Sequence, residues 1–165
     1  MKKRMLMIPI GLTALLLFGL ISACGDDDEE AVTLPPPQAR TIKLAAYELK
    51  GGTNVEKEAF PGGELSGGYA IKPPNDDGRW EVEAYVWLPN QITVNEGDTV
   101  TLEIFGVNGA RHDSEIEGYV DQFAVKRGKL TTVTFTADRP GVFKLICNTH
   151  PESMVGEIVV LARGS

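Results

Sequence analysis

The chain predicts an all-β fold, an antiparallel Greek-key β-sandwich, and three observations carry that expectation. Apolar and polar residues alternate with a period of two along several short runs, turn-forming clusters separate the runs, and no long stretch has a helical period. Strands of this kind each bury one face, which two sheets packed face to face satisfy. After a removable head and a polar linker, the 165 residues leave room for one domain. A domain of roughly 100 to 125 residues is large enough for a real core.

Residues 41–49 open the domain as a strand. Residues 51–79 carry Gly51-Gly52, Pro61-Gly62-Gly63, Gly67-Gly68 and Pro73-Pro74, and read as a Gly-rich inserted loop. Trp80, Val82, Ala84 and Val86 then alternate with Glu81, Glu83, Tyr85 and Trp87, with the two tryptophans read as packing residues. Ile92 and Val94 lead into the turn Asn95-Glu96-Gly97-Asp98, after which Val100, Leu102 and Ile104 share one face and Thr99, Thr101 and Glu103 the other. Residues 130–137 repeat the pattern with Val133 and Phe135, Asp138-Arg139-Pro140-Gly141 turns the chain, and residues 142–147 and 155–161 complete the strands.

The N-terminal head has a signal-peptide pattern. Lys2-Lys3-Arg4 precedes an apolar run, short for a membrane span, and then Ile21-Ser22-Ala23-Cys24. A cysteine after two small residues resembles the lipobox of bacterial lipoproteins. That resemblance makes residues 1–23 a lipoprotein signal peptide and Cys24 the lipidated N-terminus, held to an envelope membrane without spanning it. Residues 24–40 read as a tether. Asp26-Asp27-Asp28-Glu29-Glu30 is a solvated acidic spacer and Pro35-Pro36-Pro37 a stiff polyproline stretch. The domain is then residues 41–165. Without the head the chain has 13 positive and 23 negative side chains, a net charge of −10, which argues against nucleic acid as a partner.

The chemistry concentrates in Cys147-Asn148-Thr149-His150-Pro151-Glu152-Ser153-Met154, where a thiol, an imidazole and a thioether follow an apolar strand within eight residues. The only other histidine is His112, 35 positions before Cys147, expected in the loop after a strand over residues 99–107. With Cys24 lipidated, Cys147 has no disulfide partner in an oxidising compartment. On the strand over 142–147, Phe143, Leu145 and Cys147 share a face, so the thiol points inward at the end of the sandwich. Soft thiolate and thioether with two imidazoles form the ligand set of a mononuclear copper electron-transfer site: His112, Cys147 and His150 as a trigonal set, with Met154 as a weak axial ligand. The same set suits zinc poorly, because thioether is a weak zinc ligand. Glu115, Glu117 and Glu152 read as solvated.

Residues 80 to 161 resemble the cupredoxins. The resemblance rests on Gly97-Asp98-Thr99-Val100 at a strand start, a histidine after that strand, Phe135-Thr136-Ala137-Asp138-Arg139-Pro140-Gly141 before the ligand strand, and Cys147-x2-His150 with Met154 downstream. Plastocyanin, pseudoazurin and amicyanin share that arrangement. Residues 134–151 also look like nitrosocyanin, which has the same Cys-x2-His-Pro but adds a second loop histidine and an upstream glutamate around an open position. Here there is no third histidine, and His112 stands where that glutamate would be expected. The interval from His112 to Cys147 is similar to that of cytochrome oxidase subunit II and nitrous oxide reductase. Their dinuclear centre needs two bridging cysteines, and this chain offers one.

The resemblance implies one copper ion cycling between Cu(I) and Cu(II), and an electron carrier rather than an enzyme. The carrier would face the periplasm or exterior and exchange electrons with an envelope redox protein such as a c-type cytochrome or an oxidase. Two other readings stand beside it: a copper storage or delivery module, which a Met-rich or His-rich tract would favour, and an open-site copper enzyme acting on a small nitrogen oxide.

Overall fold

A computed structural model describes residues 34–164. The signal peptide, Cys24 and the acidic run expected in the tether lie outside these residues. Ten strands and no helix occur among them: β1 (Ala39–Asn54), β2 (Tyr69–Lys72), β3 (Arg79–Leu88), β4 (Gln91–Asn95), β5 (Thr99–Gly106), β6 (Arg111–Ile116), β7 (Val120–Lys126), β8 (Leu130–Thr136), β9 (Gly141–Cys147) and β10 (Val155–Leu161). They form two five-stranded sheets, ordered β2-β3-β1-β5-β8 and β4-β10-β9-β6-β7. The all-β sandwich is therefore present. Its sheets are mixed rather than purely antiparallel, because β1 runs parallel to β5 and β4 parallel to β10. Parallel neighbours need crossover connections, and here the connections cross between the two sheets.

The core follows the alternation along β5, β8, β9 and β10. Val100, Leu102 and Ile104 are wholly buried, and they meet Val133, Phe135, Leu145, Ile158 and Val160 from the other strands. Burying a Val, Leu or Ile side chain stabilises by about 1.5 to 3 kcal/mol, so this two-sheet core is the main source of stability.

The regular alternation expected along β3 breaks between its two ends. Trp87 is wholly buried in the sandwich core, whereas Trp80, of opposite parity, is buried outside it. Trp80 packs edge-on against Phe60, ring centroids 5.9 Å apart, and its Nε1–H donates to the carbonyl of Glu58 at 3.1 Å. The inserted segment covers one end of the outer face of β3, and Val82, expected to share a buried face with Trp80, is exposed.

The region expected as one long loop, residues 51–79, is only partly loop. β1 runs on to Asn54, its Gly51 and Gly52 pairing with Val82 and Glu81, and β2 pairs with β3 from Tyr69↔Ala84 to Lys72↔Glu81. Glycine lacks strand propensity, but Gly52 is required here: a Cβ on it would lie 2.7 Å from the carbonyl oxygen of Trp80. At the other end, Pro35 to Arg40 lie against the Asn95–Asp98 turn. Gln38 N–H donates to Asp98 Oδ1 at 2.8 Å, Arg40 Nε donates to Asp98 Oδ2, and Arg163 Nη1 donates to the Pro35 carbonyl at 2.5 Å.

Candidate metal centre

The site is assembled from three short pieces of backbone at one end of the sandwich. β9 carries Phe143, Leu145 and Cys147 on its inward face, with Leu145 and Cys147 buried, so the thiol enters the core as its alternation requires. The chain then turns tightly. His150 N–H donates to the Cys147 carbonyl at 2.9 Å, Met154 N–H to the His150 carbonyl at 2.9 Å, and Cys147 N–H to the Met154 carbonyl at 3.1 Å. These bonds close residues 147–154 into a compact loop that returns Met154, wholly buried, beside Cys147.

His112 comes from β6 and not from a loop, which corrects the expectation. β6 pairs with β9 through Ser114↔Cys147 and with β7 through His112↔Val125, and its burial alternates so that His112, Ser114 and Ile116 all point inward. Asn148 N–H donates to the Asp113 carbonyl at 2.7 Å, tying the start of the Cys147 loop to the same strand.

Three donor atoms converge. Cys147 Sγ lies 3.7 Å from His112 Nδ1 and 3.6 Å from His150 Nδ1, and the two Nδ1 atoms are 3.3 Å apart. A triangle with these sides has its centre about 2 Å from each corner, the length of a bond from a transition metal to imidazole nitrogen. Among the described residues, His112, Cys147 and His150 are the one group of three His, Cys, Asp or Glu side chains so arranged. Glu115, Glu117 and Glu152 stand apart from it, Glu115 accepting from Asn148 Nδ2 at 3.2 Å and Glu117 from Lys144 N–H at 3.3 Å.

The protonation of the imidazoles suits metal binding. His112 Nε2 lies 2.7 Å from the carbonyl oxygen of Asn108. A carbonyl only accepts, so Nε2 carries the proton and Nδ1 turns a bare lone pair to the thiol. Gly109 makes that approach possible: it has φ +74°, and a Cβ there would lie 2.5 Å from His112 Nε2. Burial holds the His150 imidazole below the usual histidine value, His112 beside it acts in the same direction, and only Glu48 opposes them. The ring of His150 stacks on Tyr85, centroids 3.9 Å apart and planes 10° from parallel. Trp87 roofs the site from β3, donating from Nε1 to the Met154 carbonyl at 3.1 Å.

His112, Cys147 and Met154 are wholly buried and His150 is half-buried, so the cluster meets the surface through the His150 edge. The sequence pointed to the four side chains. It had no means of pointing to Asn108, which contributes only a backbone carbonyl, or to Tyr85, which reads as an ordinary strand residue.

A two-sheet β-sandwich with two imidazoles and a thiolate converging at one end defines a class of soft-metal proteins. Residues 72–160 match the family profile described as the Cupredoxin-like domain, and the chain belongs to that family. It is 32% identical over 81 residues to "Cytochrome c oxidase subunit 2" of Thermus thermophilus, covering 47% of this chain and 59% of that protein. The protein of the same name from another strain of Thermus thermophilus matches at 32% identity over 81 residues, 48% of its own length, so the chain spans about half the length of these curated relatives. A solved multicopper oxidase superposes with a TM-score of 0.51 at 17% identity, over 78% of this chain and 40% of its own, which shows the shared fold.

The donor set fits copper. Two neutral imidazole nitrogens and one thiolate, with a thioether carried on the same loop, are borderline-to-soft ligands of the kind copper takes in this fold. Cys147 is the sole cysteine among the described residues, and a centre bridged by two thiolates has no second sulfur here.

Proposed function

We propose that the protein is a mononuclear copper carrier that passes single electrons in the bacterial cell envelope, tethered through lipidated Cys24. The ligands are His112 Nδ1, Cys147 Sγ and His150 Nδ1, with Met154 as weak axial ligand. The observation that carries this reading is the triangle of 3.3, 3.6 and 3.7 Å formed by the three donor atoms. When bound, copper supplies reversible one-electron chemistry.

The chain's own residues set the conditions for it. The β6–β9 pairing and the closed 147–154 loop hold the donors in place before any metal arrives, which keeps reorganisation small when charge changes. Buried Trp87, Met154, Ile104 and Leu145 belong to the apolar shell at the core, and such a shell lowers the local dielectric and tunes the potential. The half-buried His150 edge is the route by which an electron enters or leaves. Burial of three of the four donors supports a carrier over an open-site enzyme, and the absence of any Met-rich or His-rich tract in the sequence supports it over a storage module. The net charge of −10 after removal of residues 1–23 favours a basic redox partner, such as a c-type cytochrome.

The test is the visible and electron paramagnetic resonance spectrum of the protein with one equivalent of Cu(II). An intense thiolate-to-copper band with narrow hyperfine splitting is expected. A weak band with wide splitting, shifted by added azide, would assign an open site instead. Failure to hold Cu(II) together with tight, exchangeable Cu(I) would assign storage or delivery.

A further inference from the structure

The inserted segment between β1 and β3 reaches the metal centre. The Gly67 carbonyl accepts from two backbone N–H groups of the ligand loop, Glu152 at 3.1 Å and Ser153 at 3.0 Å. Gly68 has φ +95°, and a Cβ on it would fall 2.5 Å from His150 Cβ and 2.3 Å from Ser153 Oγ, so the space a side chain needs is filled by the ligand loop itself. The Gly68 carbonyl in turn accepts from Tyr85 N–H at 3.2 Å, and the Tyr85 ring lies flat on the His150 imidazole. His150 is therefore braced twice, at its backbone end by Gly68 and on its ring face by Tyr85, and one hydrogen bond links the two braces.

We propose that Gly67, Gly68 and Tyr85 form a clamp that sets the position and ring plane of His150, making the insertion a positioning element of the metal centre. The proposal rests on the reading of His150 as a ligand. Neither glycine has a side chain to bury, so the contribution of residues 67 and 68 to the core is small. What they supply is two acceptors and a close approach that only glycine permits. The closed loop 147–154 fixes the path of the backbone, but it leaves the His150 ring free to turn about its side-chain bonds. The stacked Tyr85 removes that freedom, and Gly68 keeps Tyr85 and the loop in one frame. Tyr85 and both glycines act through His150 and touch no metal.

Three variants test this: Gly68→Ala, Tyr85→Leu and the conservative Tyr85→Phe, which keeps the stacked ring. In the metal-free protein, amide hydrogen exchange at Glu152 and Ser153 is followed by NMR. Gly68→Ala should speed both by about tenfold, as expected for loosening one hydrogen bond each, while Val100, Leu102 and Ile104 of β5 exchange as in the wild type. In the copper-loaded protein, Gly68→Ala and Tyr85→Leu should shift the thiolate-to-copper band and speed copper release to a chelator by about tenfold, and Tyr85→Phe should restore both. Wild-type exchange at Glu152 and Ser153 in Gly68→Ala, or a wild-type band and release rate in Tyr85→Leu, would overturn the clamp. Should Gly68→Ala also speed exchange in β5, the Tyr85→Leu and Tyr85→Phe pair decides the question. If the wild-type protein gives no thiolate band at all, the copper reading fails, and the metal-free exchange measurement still decides the clamp.

Discussion

The Nε2 atom of His112 lies 2.7 Å from the carbonyl oxygen of Asn108, four residues earlier in the chain, and this contact decides which ring nitrogen faces Cys147. The bond requires a glycine at position 109, where the imidazole passes too close for any side chain.

Gly109→Ala is expected to weaken copper binding by about 10- to 100-fold, the usual consequence of disturbing the group that orients a metal-bound histidine. A competition titration against a chelator of known affinity measures it. Wild-type affinity in this variant would show that the Asn108 carbonyl does not orient His112.

Cys147→Ser is expected to abolish the thiolate-to-copper band, because the hydroxyl oxygen offers no comparable charge-transfer donor. The visible spectrum after copper loading reads this directly. Retention of full colour would sink the assignment of Cys147 as ligand.

Met154→Gln is expected to keep copper and lower the reduction potential, since an amide oxygen favours Cu(II) more than a thioether does. Cyclic voltammetry reports it, and an unchanged potential would remove Met154 from the axial position. The side chain is also wholly buried, so Met154→Ala should cost about 2 to 5 kcal/mol of stability through the cavity it leaves.

Asp98 offers a stability test remote from the metal. Burial alone would push its carboxyl up, but hydrogen bonds from the Asn95 and Gln38 amides and from the Arg40 guanidinium outweigh burial and hold it below the usual carboxylate range. A depressed folded-state value stabilises above the unfolded value of about 3.9 and loses that contribution as pH falls through the lower folded value. Asp98→Asn should therefore destabilise by about 2 kcal/mol near neutrality. The difference from wild type should stay flat down to about pH 5 and shrink below about pH 4. Urea unfolding across that range provides the check, and a difference that widened in acid would contradict the sign.

Much of the sandwich was legible because its strongest strands alternate cleanly. Residues 99–106, 130–136, 141–147 and 155–161 carry their apolar side chains at every second position, and all four are strands. β6 and β7 were not legible. The inward face of β6 is His112, Ser114 and Ile116, so a polar pair occupies positions that a period-two search requires to be apolar, and the strand reads as loop. β2 and the glycine-bearing end of β1 were missed for the complementary reason: glycine and proline signal turns, and only pairing with β3 holds them extended.

The chain by itself determined the ligand types. A lone thiol, two histidines and a loop methionine, at Cys-x2-His spacing after an apolar strand, restrict the chemistry to a soft metal because donor softness belongs to the residues. Distances belong to the fold. Only the tertiary structure brought His112 across from β6 to within 3.7 Å of Cys147. It also chose His112 Nδ1 through a carbonyl at Asn108, and set Gly68 and Tyr85 against His150. Backbone carbonyls and close approaches leave no mark in a sequence, since every residue has a carbonyl and glycine serves many turns; pairing between strands distant along the chain gives them their place.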